Sequence, residues 1–210
     1  ADVRQQVSFS LVTDFENYAP AYGVPTPWVL TPIGDGGGIY GALALQLRPK
    51  EINEVMTGKN GWEKDGLGRS GETYLAGPDK LMRSMSRELM TDPDAYLADV
   101  VKSGTPEAVA KREVKIGDSV LLQPVDTVGV TRALEGQSGV DTATDYTGKK
   151  ALVAYTPLTI PGLDWALVAR IDEQAGLWNV EVPTDELASA LVPMHDTPLG
   201  PLAPGLTLRQ

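Results

Sequence analysis

Two stretches of this 210-residue chain spell G-x-G-x-x-G, Gly36-Gly37-Gly38-Ile39-Tyr40-Gly41 and Gly66-Leu67-Gly68-Arg69-Ser70-Gly71, the pattern of a loop that cradles phosphate. A dinucleotide loop works between a strand and a helix whose N-terminus faces the pyrophosphate, whereas both copies here run into predicted strands. A kinase glycine loop does precede a strand, but no V-A-I-K, H-R-D or D-F-G follows. His195 and Asp196 have the types of a general base and its orienter. No G-x-S-x-G elbow accompanies them, and the pair lies between Pro193 and Pro198, so a solvent-facing tail histidine is the plainer reading. Asp92 and Asp94 are paired carboxylates that helix capping explains in full. Asp141 and Asp145, near Gly139 and several hydroxyls, suggest a calcium loop but lack the EF-hand spacing and its terminal Glu.

A different set suits binding. Tyr74, Arg83, Ser84, Ser86, Arg87 and Tyr155 fall on predicted strands, where an arginine among hydroxyls fixes a carboxylate ligand. The competing reading pairs the arginines with local acids such as Asp79 or Glu88. Tyr74, Arg83, Ser86 and Tyr155 are taken as the candidate ligand-binding residues, with no catalytic or metal-ligating residue and no cofactor.

Composition narrows the field further. With 18 Lys+Arg against 28 Asp+Glu the net charge is −10, the wrong sign for gripping nucleic acid or an anionic leaflet. Zero cysteines exclude a disulfide framework, thiolate zinc ligands and thiol catalysis, and a single histidine leaves no second imidazole for a metal. No apolar run approaches the roughly 20 residues needed to span a bilayer, and Ala1 opens a polar stretch, so the chain as given is expected to be soluble. Hydrophobic residues at 42% suffice for a core, while Gly 22 and Pro 16 point to short elements joined by tight turns.

The elements that must position these residues follow from pattern. Residues 28–47 and 153–171 both read strand, Thr-Pro, glycine turn, strand, with Thr31 and Thr156 opening the Thr-Pro pairs and Ala42 and Ala166 in the second strands. This self-similarity predicts a repeat. Pro49 followed by Ile52, Val55 and Met56 predicts a connecting helix ended by Gly58 and Gly61. Glu72–Ala76 and Leu81–Ser86 read as a hairpin turned by Gly77-Pro78-Asp79. Asp92 caps a helix to about Lys102, Thr105-Pro106-Glu107 starts a second, and Asp126 caps a third that ends at Gly136. Strands Ala151–Thr156 and Trp165–Ile171 close the order. One antiparallel sheet with helices inserted after its second strand is an α+β plan of PAS-like type. Residues 173–210 form an acidic, Pro-rich tail in which Thr184–Leu191 has the pattern of two helical turns.

From Gly66 through Gly71-Glu72-Thr73-Tyr74-Leu75-Ala76-Gly77-Pro78-Asp79-Lys80-Leu81-Met82-Arg83-Ser84-Met85-Ser86 to Arg87 the sequence resembles a long motif of double-Cache extracytoplasmic sensor domains. These belong to bacterial adenylate/guanylate cyclases, chemoreceptors and sensor kinases. The likeness continues through Phe15-Glu16-Asn17-Tyr18-Ala19-Pro20, Gly41–Leu47, Asp145-Tyr146-Thr147-Gly148 and Trp165–Ala169, covering roughly residues 8–175. It implies two stacked PAS-like (Cache) modules between transmembrane helices. Residues 1–48 then correspond to the C-terminal part of the membrane-distal module, 49–65 to a connecting helix, 66–172 to the membrane-proximal module and 173–210 to the tail. The chain departs from the family in lacking the long N-terminal helix and most of the distal module, in carrying Met85 where many members have Asp, and in replacing the entry to a membrane helix with the tail.

The expected function is therefore a non-catalytic, extracytoplasmic ligand-sensing domain of a membrane-bound receptor. Its expected partners are a small molecule, with carboxylates and amino acids the leading candidates, and a second copy in a homodimer. Nucleic acid is not expected, and the membrane is met only through segments outside this chain. A pocket is expected between the sheet face bearing Tyr74, Arg83, Ser86 and Tyr155 and the segment 90–135. Two alternatives stand beside it: a ligand-free dimerisation or spacer module, which an interior plugged by Met82, Met85 or Leu122 would favour, and a small hydrolase using His195.

Overall fold

The computed structural model describes residues 10–35 and 38–173, all within the first of the two units into which the chain divides, residues 1–178. It opens with β1 (Leu11–Val12), β2 (Glu16–Tyr18), β3 (Val24–Thr26), β4 (Trp28–Asp35) and β5 (Gly38–Gln46). β1, β4 and β5 form one antiparallel sheet in that order, and β2 pairs with β3. A helix α1 (Pro49–Met56) leads on to β6 (Glu72–Ala76). The helices α2 (Arg87–Thr91), α3 (Pro93–Ser103), α4 (Glu107–Ile116) and α5 (Val128–Leu134) follow, then β7 (Gly139–Thr144), β8 (Lys150–Ile160) and β9 (Leu163–Asp172). The last three strands and β6 make a four-stranded antiparallel sheet, ordered β6-β9-β8-β7. The molecule is α+β, as its pattern predicts.

The two Thr-Pro hairpins fall in separate sheets, and their likeness extends to register. Thr31 faces Leu43 and Pro32 faces Ala42; Thr156 faces Leu167 and Pro157 faces Ala166. Each proline lies beyond the residues paired on its outer side, β1 reaching only Leu30 and β7 only Tyr155, so its missing N–H leaves no outer ladder bond unmade. Gly162, at φ +89° in the turn after Pro161, supplies the left-handed conformation that a type II turn demands. An added Cβ there would meet Leu11 Cδ1 at 2.2 Å, so glycine is also what lets β1 cross the end of the second hairpin.

The four-stranded sheet is covered on both faces, which explains the near-continuous apolar character of β8 and β9. Tyr74, Ala76, Val153, Tyr155, Ala166 and Val168 face the helices and pack with Met82, Tyr96, Val100, Val125, Val130 and Ala133. On the other face Leu75, Leu163 and Trp165 meet Phe15, with Ile52 and Met56 of α1 against them. Phe15 stacks on Trp165 at 5.7 Å. Among the described residues the first hairpin has no such cover: every residue of β5 is exposed, Tyr40 at 70%.

Three expectations are corrected. Leu81–Ser86 is not a strand: only isolated bridges join Ala76 to Met82 and Leu81 to Pro124. The Met82 N–H donates to Gln123 and that of Arg83 to Leu75, so the segment is shared between β6 and the 119–125 loop instead of laddering with either. Val55 of α1 points to solvent at 78% exposure, leaving Ile52 and Met56 as the packed stripe. α5 is capped by Thr127, whose hydroxyl accepts from the Val130 N–H, and not by Asp126, which pairs with Lys80. By contrast Asp92 caps α3 through the Ala95 N–H, and Gly104 closes it in the left-handed conformation. Thr184–Leu191 and His195 lie outside the described residues.

α5 lies flat on the sheet because Gly129 is small. A Cβ at that position would stand 2.9 Å from Val153 Cγ1 and 3.4 Å from Tyr155 Cδ1. Gly129→Val therefore lowers stability by about 2–3 kcal/mol through overpacking, read as a lowered urea midpoint with an unchanged m-value.

Candidate functional site

The strand period of two brings an uncommon set of side chains to the helix-facing side of the sheet. Glu72 sits opposite Arg170 in the β6–β9 ladder, and both are almost fully buried, at 1% and 4% exposure. Arg170 Nε donates to Glu72 Oε2 at 3.1 Å, while its Nη1 lies 2.5 Å from Asp172 Oδ1 and 2.9 Å from Asp145 Oδ2. The Tyr146 hydroxyl donates to the same Glu72 oxygen at 2.7 Å, and the backbone N–H of Arg87 donates to Glu72 Oε1 at 2.6 Å. The Arg170 guanidinium also lies over the Tyr146 ring, 5.5 Å from its centre. Burial and the Glu72 carboxylate hold the Tyr146 phenol far above its ordinary range, so it is a donor at every physiological pH. The surrounding carboxylates and the Tyr146 oxygen outweigh desolvation and keep Arg170 charged.

Asp145 also builds the β7–β8 turn. Its Oδ1 accepts from the Thr147 N–H and hydroxyl and from the Lys149 N–H, at 2.8–3.0 Å. Lys149 in turn pairs with Glu88 of α2 and, at 2.8 Å, with Asp99 of α3, tying the turn to the helices.

In front of this turn opens a cleft of about 380 Å3, lined by Ser103, Gly104 and Thr105 between α3 and α4, Pro124, Asp126 and Thr127 before α5, and Thr144, Asp145 and Tyr146. Four residues with hydroxyl side chains and Asp126 line it, while Asp145 and Tyr146 form part of its wall with their polar atoms engaged in the buried network behind. A larger hollow of about 480 Å3 beside α1 is lined by Glu51, Glu54, Val55, Gly58, Lys59 and Asp65. Those residues are exposed apart from half-buried Glu54, so it is open surface with no organised polar wall.

The four residues singled out from the sequence do not line one cavity. Tyr74 and Tyr155 share a row of the sheet, both opposite Val168, and both are buried in the filled core. Burial pushes the Tyr74 phenol well above the ordinary range. The Tyr155 hydroxyl donates to Asp141 at 2.8 Å and accepts from Arg132, so Asp141 and Asp145 serve separate networks and do not converge as calcium ligands would. Among the described residues no group of three His, Cys, Asp or Glu is arranged to hold a metal ion. Ser86 caps α2 and shares a hydrogen bond of 2.8 Å with Tyr146, which places it directly behind the cleft wall. Arg83 is buried on the other side of the sheet's end. Its Nε and Nη2 donate to Asp14 at 2.7 and 2.9 Å, and its Nη1 reaches Asp79 at 2.9 Å and the Leu81 carbonyl at 3.0 Å. Trp165 Nε1 donates to the same Asp14, so this arginine clasps the β1–β2 segment to the second sheet.

Sequence reasoning missed Glu72, Asp145, Tyr146 and Arg170 as a group. The signal was present in the inward phase of two strands: Glu72 is two residues from Tyr74, and Arg170 two from Val168, so each charge had to be buried with a partner.

Comparison with known proteins adds the following. No family model matches the chain. A stretch of 44 residues is 73% identical to the RecBCD enzyme subunit RecB of Mycolicibacterium smegmatis, covering 21% of this chain and 4% of that protein. A stretch of 54 residues is 52% identical to RecB of Mycobacterium tuberculosis H37Rv, covering 24% and 5%. The chain thus spans about one-twentieth of the length of these curated relatives. Among solved structures, the ligand-binding domain of the Pseudomonas aeruginosa amino acid chemoreceptor PctB, in complex with L-Gln, is 18% identical with TM-score 0.45 over 87% of this chain and 60% of that one. That of the Pseudomonas fluorescens chemoreceptor CtaA, in complex with L-leucine, is 15% identical with TM-score 0.44 over 79% and 54%. The extracellular domain of the histidine kinase mmHK1S-Z3 is 18% identical with TM-score 0.43 over 79% and 50%.

The geometry makes Arg170 the keystone of the site. Arg170→Met leaves the buried Glu72 and Asp145 carboxylates without their guanidinium and lowers stability by about 3–5 kcal/mol at pH 7, measured by urea denaturation.

Proposed function

We propose that the chain is the sensing part of an extracytoplasmic receptor domain, in which a small polar ligand enters the cleft between the α3–α4 turn, the 124–127 segment and the β7–β8 turn. One observation carries the reading. Asp145 and Tyr146, which line the cleft, are the same residues that hold Arg170 and Glu72 inside the sheet. A ligand that engages them acts directly on β9 three residues before Glu173, whose N–H donates to the Lys150 carbonyl of β8. Differential contact with two arrangements of this network is what a sensor requires, since a ligand shifts an equilibrium only by its unequal affinity for the two states. Ser86 takes part from behind the wall through Tyr146, while a carboxylate ligand aimed at Arg83 would have to displace Asp14.

The matched register of the two Thr-Pro hairpins supports reading residues 28–46 as the counterpart of β8–β9 in a second module of the same design. The role is binding and not hydrolysis. Of the hydroxyls that line the cleft, Thr105 is engaged with Gln123 and Thr127 with the Val130 N–H. A ligand-free spacer is the second reading, favoured by Met82, which fills the core behind Tyr74 with none of its surface exposed.

The two readings part on one experiment. Thermal-shift and calorimetric titration of the full chain with amino acids, other small carboxylates and amines should yield a ligand whose affinity falls at least tenfold in Thr144→Trp, which fills the cleft from its rim. Retained affinity in Thr144→Trp together with its loss in Arg83→Ala and Tyr155→Ala would move the site away from the cleft. A panel with no binder at all would leave the spacer.

A further inference from the structure

A second buried polar system adjoins the cleft, and its proton count does not close with ordinary ionisation. Tyr96 of α3, Glu113 of α4 and Gln123 are all fully buried. The Tyr96 hydroxyl oxygen lies 2.9 Å from Glu113 Oε2 and 2.9 Å from Gln123 Oε1. The orientation of the Gln123 amide is fixed from its other end, because Nε2 stands 2.7 Å from the Pro124 carbonyl, which can only accept, and 3.0 Å from the Thr105 hydroxyl. A phenol has one proton, yet with Glu113 ionised it would face two acceptors and satisfy one. A protonated Glu113 supplies what is missing: its O–H donates to Tyr96, and Tyr96 donates to Gln123.

The surroundings favour that state. Among the described residues the groups that face Glu113 are Tyr96 from α3 and Gln123 and Asp118 from the segment after α4, with no cation among them; the cations of α4 itself, Lys111, Arg112 and Lys115, are exposed. Glu113 Oε1 has no hydrogen-bond partner. Burial, with a smaller contribution from the Asp118 carboxylate, raises Glu113 to about 7 against the opposing Tyr96 hydrogen bond. Asp118 is itself raised by burial, and Glu72 and Glu88 add negative charge around Tyr96.

Both groups that Gln123 grips, Thr105 and Pro124, line the cleft. We propose that Glu113 is the proton-binding element of a switch that holds the Thr105–Pro124 edge of the cleft closed on Gln123 when protonated and releases it when ionised. This regulation rests on the cleft being the sensing site, but the switch itself is a property of the fold. Because the carboxyl binds its proton more tightly folded than unfolded, the stability it contributes is full below about 4.5, the ordinary carboxyl value, and is lost as pH rises through about 7.

The test uses the full chain without ligand. In the wild type the Glu113 side-chain carboxyl 13C shift should titrate with a midpoint near 7, the backbone amide signals of Thr105 and Thr127 should follow the same midpoint, and the urea midpoint should fall from pH 5 to pH 8. Glu113→Gln, whose amide donates to Tyr96 as the acid does, should keep the cleft signals and the urea midpoint nearly level across pH 7. A wild-type carboxyl midpoint in the ordinary range near 4.5, or cleft signals that stay flat through pH 7, would overturn the proposal. Should Glu113→Gln not fold, the wild-type titration decides alone. No readout involves a ligand, so a panel without binders would remove the sensing reading while the carboxyl titration still judged the switch.

Discussion

A guanidinium buried in the middle of a sheet dictates much of this structure. Arg170 cannot be dehydrated alone, since an unpaired buried ion costs several kcal/mol even after relaxation. Its position in β9 therefore requires acids from elsewhere: Glu72 from the neighbouring strand, Asp145 from the β7–β8 turn, and Asp172 from its own strand. Each partner then fixes something further. Glu72 takes the Arg87 N–H and so sets where α2 begins; Tyr146 closes the ring between Glu72 and the Ser86 cap; Asp145 shapes the turn that forms one wall of the cleft. One buried charge thus couples the start of the helical segment, the edge of the sheet and the candidate site.

The neutral system around Glu113 shows the other solution to the same problem. Here a carboxyl is buried without a cation, and the cheaper course is to keep its proton. The two clusters meet the cleft from different sides, the ionic one at Asp145 and Tyr146 and the neutral one through Thr105 and Pro124. Each cluster keeps a buried oxygen without a hydrogen bond, Asp145 Oδ2 and Glu113 Oε1, but Asp145 Oδ2 lies 2.9 Å from the Arg170 guanidinium whereas Glu113 is paired with no cation among the described residues. That asymmetry is why response to protons belongs to the α4 side and structural anchoring to the sheet side.

Local pattern made part of this legible. Asp92, Pro93 and Gly104 bound α3 where capping chemistry puts them, and Pro49 opens α1. Period two placed Tyr74 and Tyr155 on one face. What pattern could not show is convergence. The cleft is assembled from three turns, 103–105, 124–127 and 144–146, whose Gly, Thr, Pro and Asp residues carry the same signature as any loop. Leu81–Ser86 misled for a related reason: it has strand composition, but Met82 and Arg83 are drawn into tertiary bonds with Gln123 and Asp14 that no local signal announces.

The two Thr-Pro hairpins separate what sequence sets from what packing sets. They share the Thr-Pro pair and the pairing of proline with alanine, although the first carries a register shift at Ile33/Gly34 that the second lacks. Their burial is opposite. Val168 and Ala166 of β9 are fully covered by the helical segment, whereas Ile39, Leu43 and Leu45 of β5 stand 46–58% exposed. Among the described residues, the elements that cover the second hairpin are α2 to α5, anchored by Glu72 and Lys149. The buried charges do more than hold the second sheet together: by fixing where the helices dock, they give the second hairpin its interior.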